Sequence, residues 1–99
     1  PIWNGGGDGE DRSLAQCYRN SLDLLVKSGL HSIAFPAIST GAYGFPIAAA
    51  TRIAVTTVFD FLNTQPSIAR VIFCCFSASD AEIYRATCDA VGAGQLSTS

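Results

Sequence analysis

The sequence has a single histidine, His31, and its four cysteines (Cys17, Cys74, Cys75 and Cys88) form no Cys-x-x-Cys pair. A protein zinc site takes about four ligands at short spacings, so the composition argues against a metal centre. Charge is also scarce: 14% of the residues are charged, with six basic and eight acidic side chains and a net charge of −2. The basic residues are scattered, whereas a protein that tracks a phosphate backbone needs them gathered on one face. Nucleic acid is therefore not an expected partner. No apolar run is long enough to span a bilayer, and no stretch reads as a secretory signal. With those absences the cysteines read as buried, reduced thiols and the protein as cytoplasmic.

What the chain does have is apolar mass. Of its 99 residues, 48% are hydrophobic, too many for a disordered segment and enough for one domain. A domain this small hides only part of such a surface within itself, which points to a partner surface.

The elements alternate along the chain. Asn4 to Gly9 is a glycine-rich loop, and Asp8 or Asp11 can cap the helix that follows. Leu14, Tyr18, Leu22 and Leu25 recur at helical spacing and predict an amphipathic helix from about Glu10 to Ser28, closed by Gly29. Asp8, Glu10 and Asp11 read as carboxylates that complement its dipole. The runs Ile33 to Ala37 and Val71 to Phe76 are short, apolar and without alternation, as expected of parallel strands covered on both faces. The first strand should end near Pro36, which cannot donate a ladder hydrogen bond. Between them, Pro46 suits the first position of a helix whose apolar stripe is Ile47, Ala50, Ala54, Val58 and Phe61. Ser77 or Ser79 can cap a last helix from Asp80 to about Val91, with Ile83, Tyr84, Thr87 and Val91 facing inward. The predicted fold class is α/β with right-handed parallel crossovers, a domain over 1–91 and a frayed tail over 92–99. Ile2-Trp3 reads as a remnant of a further strand.

In such a sheet ligands bind outside the carboxyl ends of the strands. Two loops meet that condition: Ser39 to Phe45 and Phe76 to Ser79. In the first, Gly41 and Gly44 permit positive φ and close backbone approach, Ser39 and Thr40 add hydroxyls, and Tyr43 could cover a sugar. A turn of this kind before a helix can hold a phosphate on backbone N–H groups, or it can be an ordinary glycine-containing turn. Phe76 could stack on a base or simply fill the core. A serine hydrolase is a poor fit: Ser39 and His31 lie at opposite ends of the predicted strand, on the order of 16 Å apart, whereas a Ser–His pair needs about 3 Å.

Taken together, the string Ile38-Ser39-Thr40-Gly41-Ala42-Tyr43-Gly44-Phe45-Pro46, the segment Ser32 to Ala37, Leu14 to Tyr18, and the Val71 to Phe76 strand with Tyr84 resemble the macrodomain family, most closely its MacroD-like branch. The resemblance covers about nine-tenths of the chain. It implies a three-layer α/β/α fold with a mostly parallel sheet. It also implies ADP-ribose as ligand, with Ser39, Thr40, Gly41, Ala42, Tyr43 and Gly44 around the diphosphate and distal ribose and Phe76 stacked on adenine. MacroD-like proteins remove ADP-ribose from acidic side chains or hydrolyse O-acetyl-ADP-ribose without a metal cofactor.

The family's adenine-gripping aspartate, its Asn-Ala-Ala-Asn string and its glycine loop with a catalytic aspartate have no match here. Gly5-Gly6-Gly7 corresponds to a different, variable turn. The sequence thus resembles the C-terminal portion of a macrodomain, with no catalytic residue of its own. The expected functions are a part of an ADP-ribosyl hydrolase or O-acetyl-ADP-ribose deacetylase, a non-catalytic ADP-ribose reader, or a fragment with a structural role. An exposed sheet edge and apolar face should lead it to self-associate or to pair with an N-terminal half.

Overall fold

A computed structural model of the chain describes residues 9–36, 46–75, 77–92 and 94–98. The elements run α1 (Glu10–Lys27), β1 (Ser32–Pro36), α2 (Ile47–Thr64), β2 (Arg70–Cys74), α3 (Ala78–Val91) and β3 (Leu96–Thr98). The strands form one parallel sheet in the order β1-β2-β3. The expected α/β alternation and parallel pairing are present, and β1 ends at Pro36. Ile2-Trp3 lies outside the described residues.

The first helix follows its sequence pattern. Leu14, Tyr18, Leu22 and Leu25 are buried and form its inner stripe. Gly29 ends it in the left-handed region at φ +72°, with its N–H donating to the Val26 carbonyl at 3.0 Å. At the other end Gly9 occupies the N-cap position without a side-chain cap. Asp11 lies inside the first turn, two positions beyond the N-cap residue, and Asp8 is outside the described residues.

Strand order equals sequence order, so both crossovers step the same way along the sheet. Right-handed crossovers that step the same way put their helices on the same face. Accordingly α2 packs against α3 and also against α1, and that three-helix layer covers one side of the sheet. Burial on α2 is wider than the predicted stripe for this reason. Thr51, Val55, Thr57 and Leu62 join Ala50, Ala54 and Val58 in the interior, while Ile47 and Phe61 are half-buried. Buried Thr51 turns its hydroxyl back to the Ile47 carbonyl at 2.6 Å, the usual way for a helical threonine to satisfy itself.

The core between layers is aromatic. Tyr18 meets Phe35 edge-on with ring centroids 4.9 Å apart. Phe35 stacks near Phe73 at 6.3 Å, and Phe73 meets Tyr84 at 5.2 Å. Two helices and two strands are thereby joined through one set of rings. Burial pushes the Tyr84 phenol up, opposed by the Tyr18 and Thr51 hydroxyls beside it.

Coverage of both strand faces does not hold among the described residues. Phe35, Val71 and Phe73 are buried, but Ser32, Ala34, Pro36, Arg70 and Cys74 are exposed and Ile72 is half-buried. Within the two apolar runs the second face is made of Ala34, Pro36, Ile72 and Cys74, all small or apolar, so the sequence looks doubly covered while the described helices cover one side only. The frayed tail is also replaced by structure. Leu96 is buried, and the Val71 N–H donates to the Gln95 carbonyl at 2.9 Å, which seats β3 against β2.

A one-sided core makes the two faces unequal. Replacing Phe73 by alanine should lower the unfolding free energy by about 3–5 kcal/mol, read from urea denaturation. Ala34→Ser on the bare face should change it by no more than about 0.5 kcal/mol. Similar losses in both variants would contradict this packing.

Candidate ligand-binding end of the sheet

Because the strands are parallel, their carboxyl ends share one end of the sheet. Pro36 and Cys74 are register partners. The segments that follow them therefore leave from adjacent points and can line one crevice, the place where open parallel sheets bind ligands. The predicted diphosphate-loop residues Ser39, Thr40, Gly41, Ala42, Tyr43 and Gly44, and the predicted adenine-stacking Phe76, all fall outside the described residues. Their frame is described on both sides, and it fixes where the loops start and stop.

The loop that begins after Pro36 delivers the chain to α2. Pro46 precedes the helix as its N-cap residue, at φ −59° and ψ 129°, and its carbonyl accepts from the Ala50 N–H at 2.9 Å. It sits one position earlier than predicted, because its ψ is extended and the helical turn starts at Ile47. Proline offers no side-chain acceptor, and the first turn of α2 carries no acid. Among the described residues, the first N–H groups and positive dipole end of this helix therefore face the crevice without a carboxylate or side-chain cap.

The third helix differs. The Asp80 N–H donates to Ser77 Oγ at 3.2 Å, with the Ser79 hydroxyl 3.1 Å from the same oxygen. Asp80 also sits in the first turn. One donor is occupied and a carboxylate is already at that dipole, so α2 is the better place for an anion. Ser77 was one of the two capping candidates in the sequence.

The first helix also directs its amino end here, since a short turn folds it back along β1 and Tyr18 lies over Phe35. A hollow of about 380 Å³ at that end is lined by Gly9, Arg12, Ser13 and Gln16. Sequence reasoning did not single out Arg12. The available signal was its place in the first turn of a helix that runs back along a strand, which puts a cation at the binding end.

His31 stands at the opposite end. It precedes β1, is exposed, and its Nδ1 lies 3.0 Å from the Ser67 carbonyl. The five residues of β1 stand between it and the carboxyl end of the strand at Pro36; Ser39, the other member of the Ser–His pair weighed in the sequence, lies outside the described residues.

The cysteines are free, and only Cys88 is buried; Cys74 is exposed, while Cys17 and Cys75 are half-buried. The expectation of four buried thiols fails for Cys74 because it ends β2 on the bare face. Burial pushes the Cys88 thiol up to about 11, helped by Asp89 and Cys75. Burial also raises Cys75, with Asp80 and Cys74 adding to it and Arg85 opposing. Among the described residues no group of three or more His, Cys, Asp or Glu gathers as a metal site.

The upward shifts have a sign. Cys88 in the unfolded chain loses its proton near 9, but in the folded protein only near 11. The folded state holds more protons in that interval, so stability should be intact below pH 9 and fall as pH rises toward 11. Denaturation midpoints across that range check it. At pH 8 alkylation followed by mass spectrometry should find Cys74 modified well ahead of Cys88; the reverse order would contradict the burial described here.

Residues 1–54 match the Macro domain family, and the chain belongs to that family. Two curated relatives are similar over most of it. The macro domain-containing protein CT2219 of Chlorobaculum tepidum is 51% identical over 85 residues, which are 86% of this chain and 49% of the relative. The O-acetyl-ADP-ribose deacetylase of Cronobacter turicensis is 49% identical over 85 residues, 86% of this chain and 48% of the relative. Among solved structures, the Oceanobacillus iheyensis macrodomain with ADP superposes with a TM-score of 0.85 at 42% identity, over 92% of this chain and 47% of that one. The chain thus spans about half the length of the relatives it matches, and its fold is a partial macrodomain.

Proposed function

We propose that this chain forms the diphosphate and distal-ribose wall of an ADP-ribose cleft, within an ADP-ribosyl hydrolase or O-acetyl-ADP-ribose deacetylase. The observation that carries the reading is the uncapped amino end of α2. It directly follows the Ser39 to Gly44 string and opens beside the carboxyl end of β2. A pyrophosphate needs convergent N–H donors and a positive dipole, and needs no metal for either. The deacetylase name of the Cronobacter relative and the ADP in the Oceanobacillus structure support the same ligand class.

In this assignment Gly41 and Gly44 let the backbone approach the diphosphate, Tyr43 covers the distal ribose, and Phe76 stacks on adenine. No catalytic residue is assigned to this chain. Turnover would need an acid or base from the remaining half of the domain, and the same wall without that group would act as a reader of ADP-ribose. A cytoplasmic location and association, either with a second copy or with the remaining half, belong to the same proposal.

Titration calorimetry with ADP-ribose at about 1 mM, where a millimolar complex is half formed, should give weak, saturable heat. Gly41→Val should remove it, because a branched side chain blocks the approach of the backbone to the phosphates. Unchanged affinity in that variant would refute the loop assignment. Robust hydrolysis of O-acetyl-ADP-ribose by these 99 residues would refute the absence of a catalytic group.

A further inference from the structure

Thr51 is fully buried on α2, at 0% exposure, in the company of Ala50, Ala54, Val55 and Val58. A hydroxyl in such a place carries a desolvation cost that a valine of the same shape would not. Bonding back to its own helix does not account for it. Thr56 makes the same kind of bond, to the Arg52 carbonyl at 2.6 Å, from an exposed position. What is particular to Thr51 is its surroundings. The Tyr84 oxygen is sealed from solvent and lacks a hydrogen bond of full geometry among the described residues, and the hydroxyls of Tyr18 and Thr51 stand beside it. The helices α1, α2 and α3 thus each bring one hydroxyl to the same point. A buried phenol takes a partner, and these neighbours are the groups on offer.

Proton count sets the direction of the link. Thr51 gives its one hydroxyl proton to the Ile47 carbonyl at 2.6 Å. Toward a phenol it can therefore only accept, which makes Tyr84 the donor of that pair. Ile47 is the first residue of α2, and its carbonyl belongs to the same peptide as the Ala48 N–H. The Ala50 N–H is already given to the Pro46 carbonyl. The N–H groups of Ile47, Ala48 and Ala49 have no acceptor within the helix, and of these three only Ala48 shares its peptide with the carbonyl that Thr51 engages. A hydrogen bond accepted by a carbonyl polarises its peptide and makes the N–H on the other side a stronger donor.

We infer that Tyr84 and Thr51 are positioning residues for the anion end of α2. The chain from the Tyr84 phenol through Thr51 Oγ1 to the Ile47 carbonyl orients and polarises the Ala48 N–H, the donor that this helix offers to a diphosphate. Neither side chain touches the ligand. The inference rests on the functional reading above and adds to it a particular donor and the residues behind that donor. Tyr84 also packs on Phe73 of β2, with ring centroids 5.2 Å apart. The same chain therefore ties the start of α2 to the strand whose carboxyl end borders the crevice.

The test is proton–nitrogen NMR of the full chain, with ADP-ribose as the probe. In the free protein, Thr51→Val should move the Ala48 nitrogen resonance upfield, while Thr51→Ser keeps the hydroxyl and leaves that resonance near its wild-type position. Affinity for ADP-ribose should fall about three- to ten-fold in Thr51→Val and in Tyr84→Phe, and stay within about two-fold of wild type in Thr51→Ser. A purely packing role predicts the opposite order, since serine loses a methyl group from the core and valine does not. Tighter binding by Thr51→Val than by Thr51→Ser, or an Ala48 resonance that ignores the loss of the hydroxyl, would overturn the proposal. If Thr51→Val fails to fold, Tyr84→Phe removes the same link from the other side, and an unmoved Ala48 resonance there would overturn it equally. Absence of ADP-ribose binding in the wild type would refute the functional reading, while an upfield Ala48 shift in the free Thr51→Val protein would still uphold the chain.

Discussion

A parallel strand pair joined by a right-handed crossover leaves no choice about which face its helix covers once the direction of the step is set. In this chain both steps run the same way, from β1 to β2 to β3. The consequence, among the described residues, is a helical layer on one side and an open face on the other. The same constraint turns the amino ends of the helices toward the carboxyl ends of the strands. The binding end and the bare face therefore have one cause, and neither can be removed without changing the strand order.

Packing within the covered side relies on two kinds of residue. Ala50 and Ala54 let α2 sit close between its neighbouring helices, while Tyr18, Phe35, Phe73 and Tyr84 fill the wider space above the strands. Tyr18, Tyr84 and Phe73 are the largest fully buried side chains among the described residues, and edge-on contacts add a smaller directional component. The two tyrosines bring hydroxyls into that interior, where Thr51 is also buried. The three lie on α1, α2 and α3, so the polar core sits where the helices meet and fixes them relative to one another rather than to the sheet.

The order and type of the elements were legible because each helix carries its own stripe and each strand is a short apolar run. Gly29 and Pro36 marked two ends correctly, since positive φ and a missing donor act locally whatever the tertiary setting. The faces of the strands were not legible. Ala34 and Ile72 read as interior by composition, and only the strand order reveals that no described helix stands over them. The tail shows the same limit: three residues from Leu96 gain their stability from β2 and have no local signal of their own. At the binding end the sequence supplied the glycine-rich string but not the contrast between the two helix starts. That contrast depends on Pro46 standing outside the helix and on Ser77 turning its hydroxyl inward.

Under the proposed assignment, solvent decides how strongly the amino end of α2 can hold a diphosphate. Where water reaches the phosphates, their attraction to the helix dipole is screened by high dielectric and by salt. A second wall that excludes water would strengthen the same N–H contacts without any change in their geometry. By linkage, whatever closes that wall and tightens the ligand is itself tightened by the ligand by the same factor. The place of the α2 end relative to β2 is set by the rigid ladder between Ser32 and Pro36, whose register with β2 fixes the point from which β1 releases the chain.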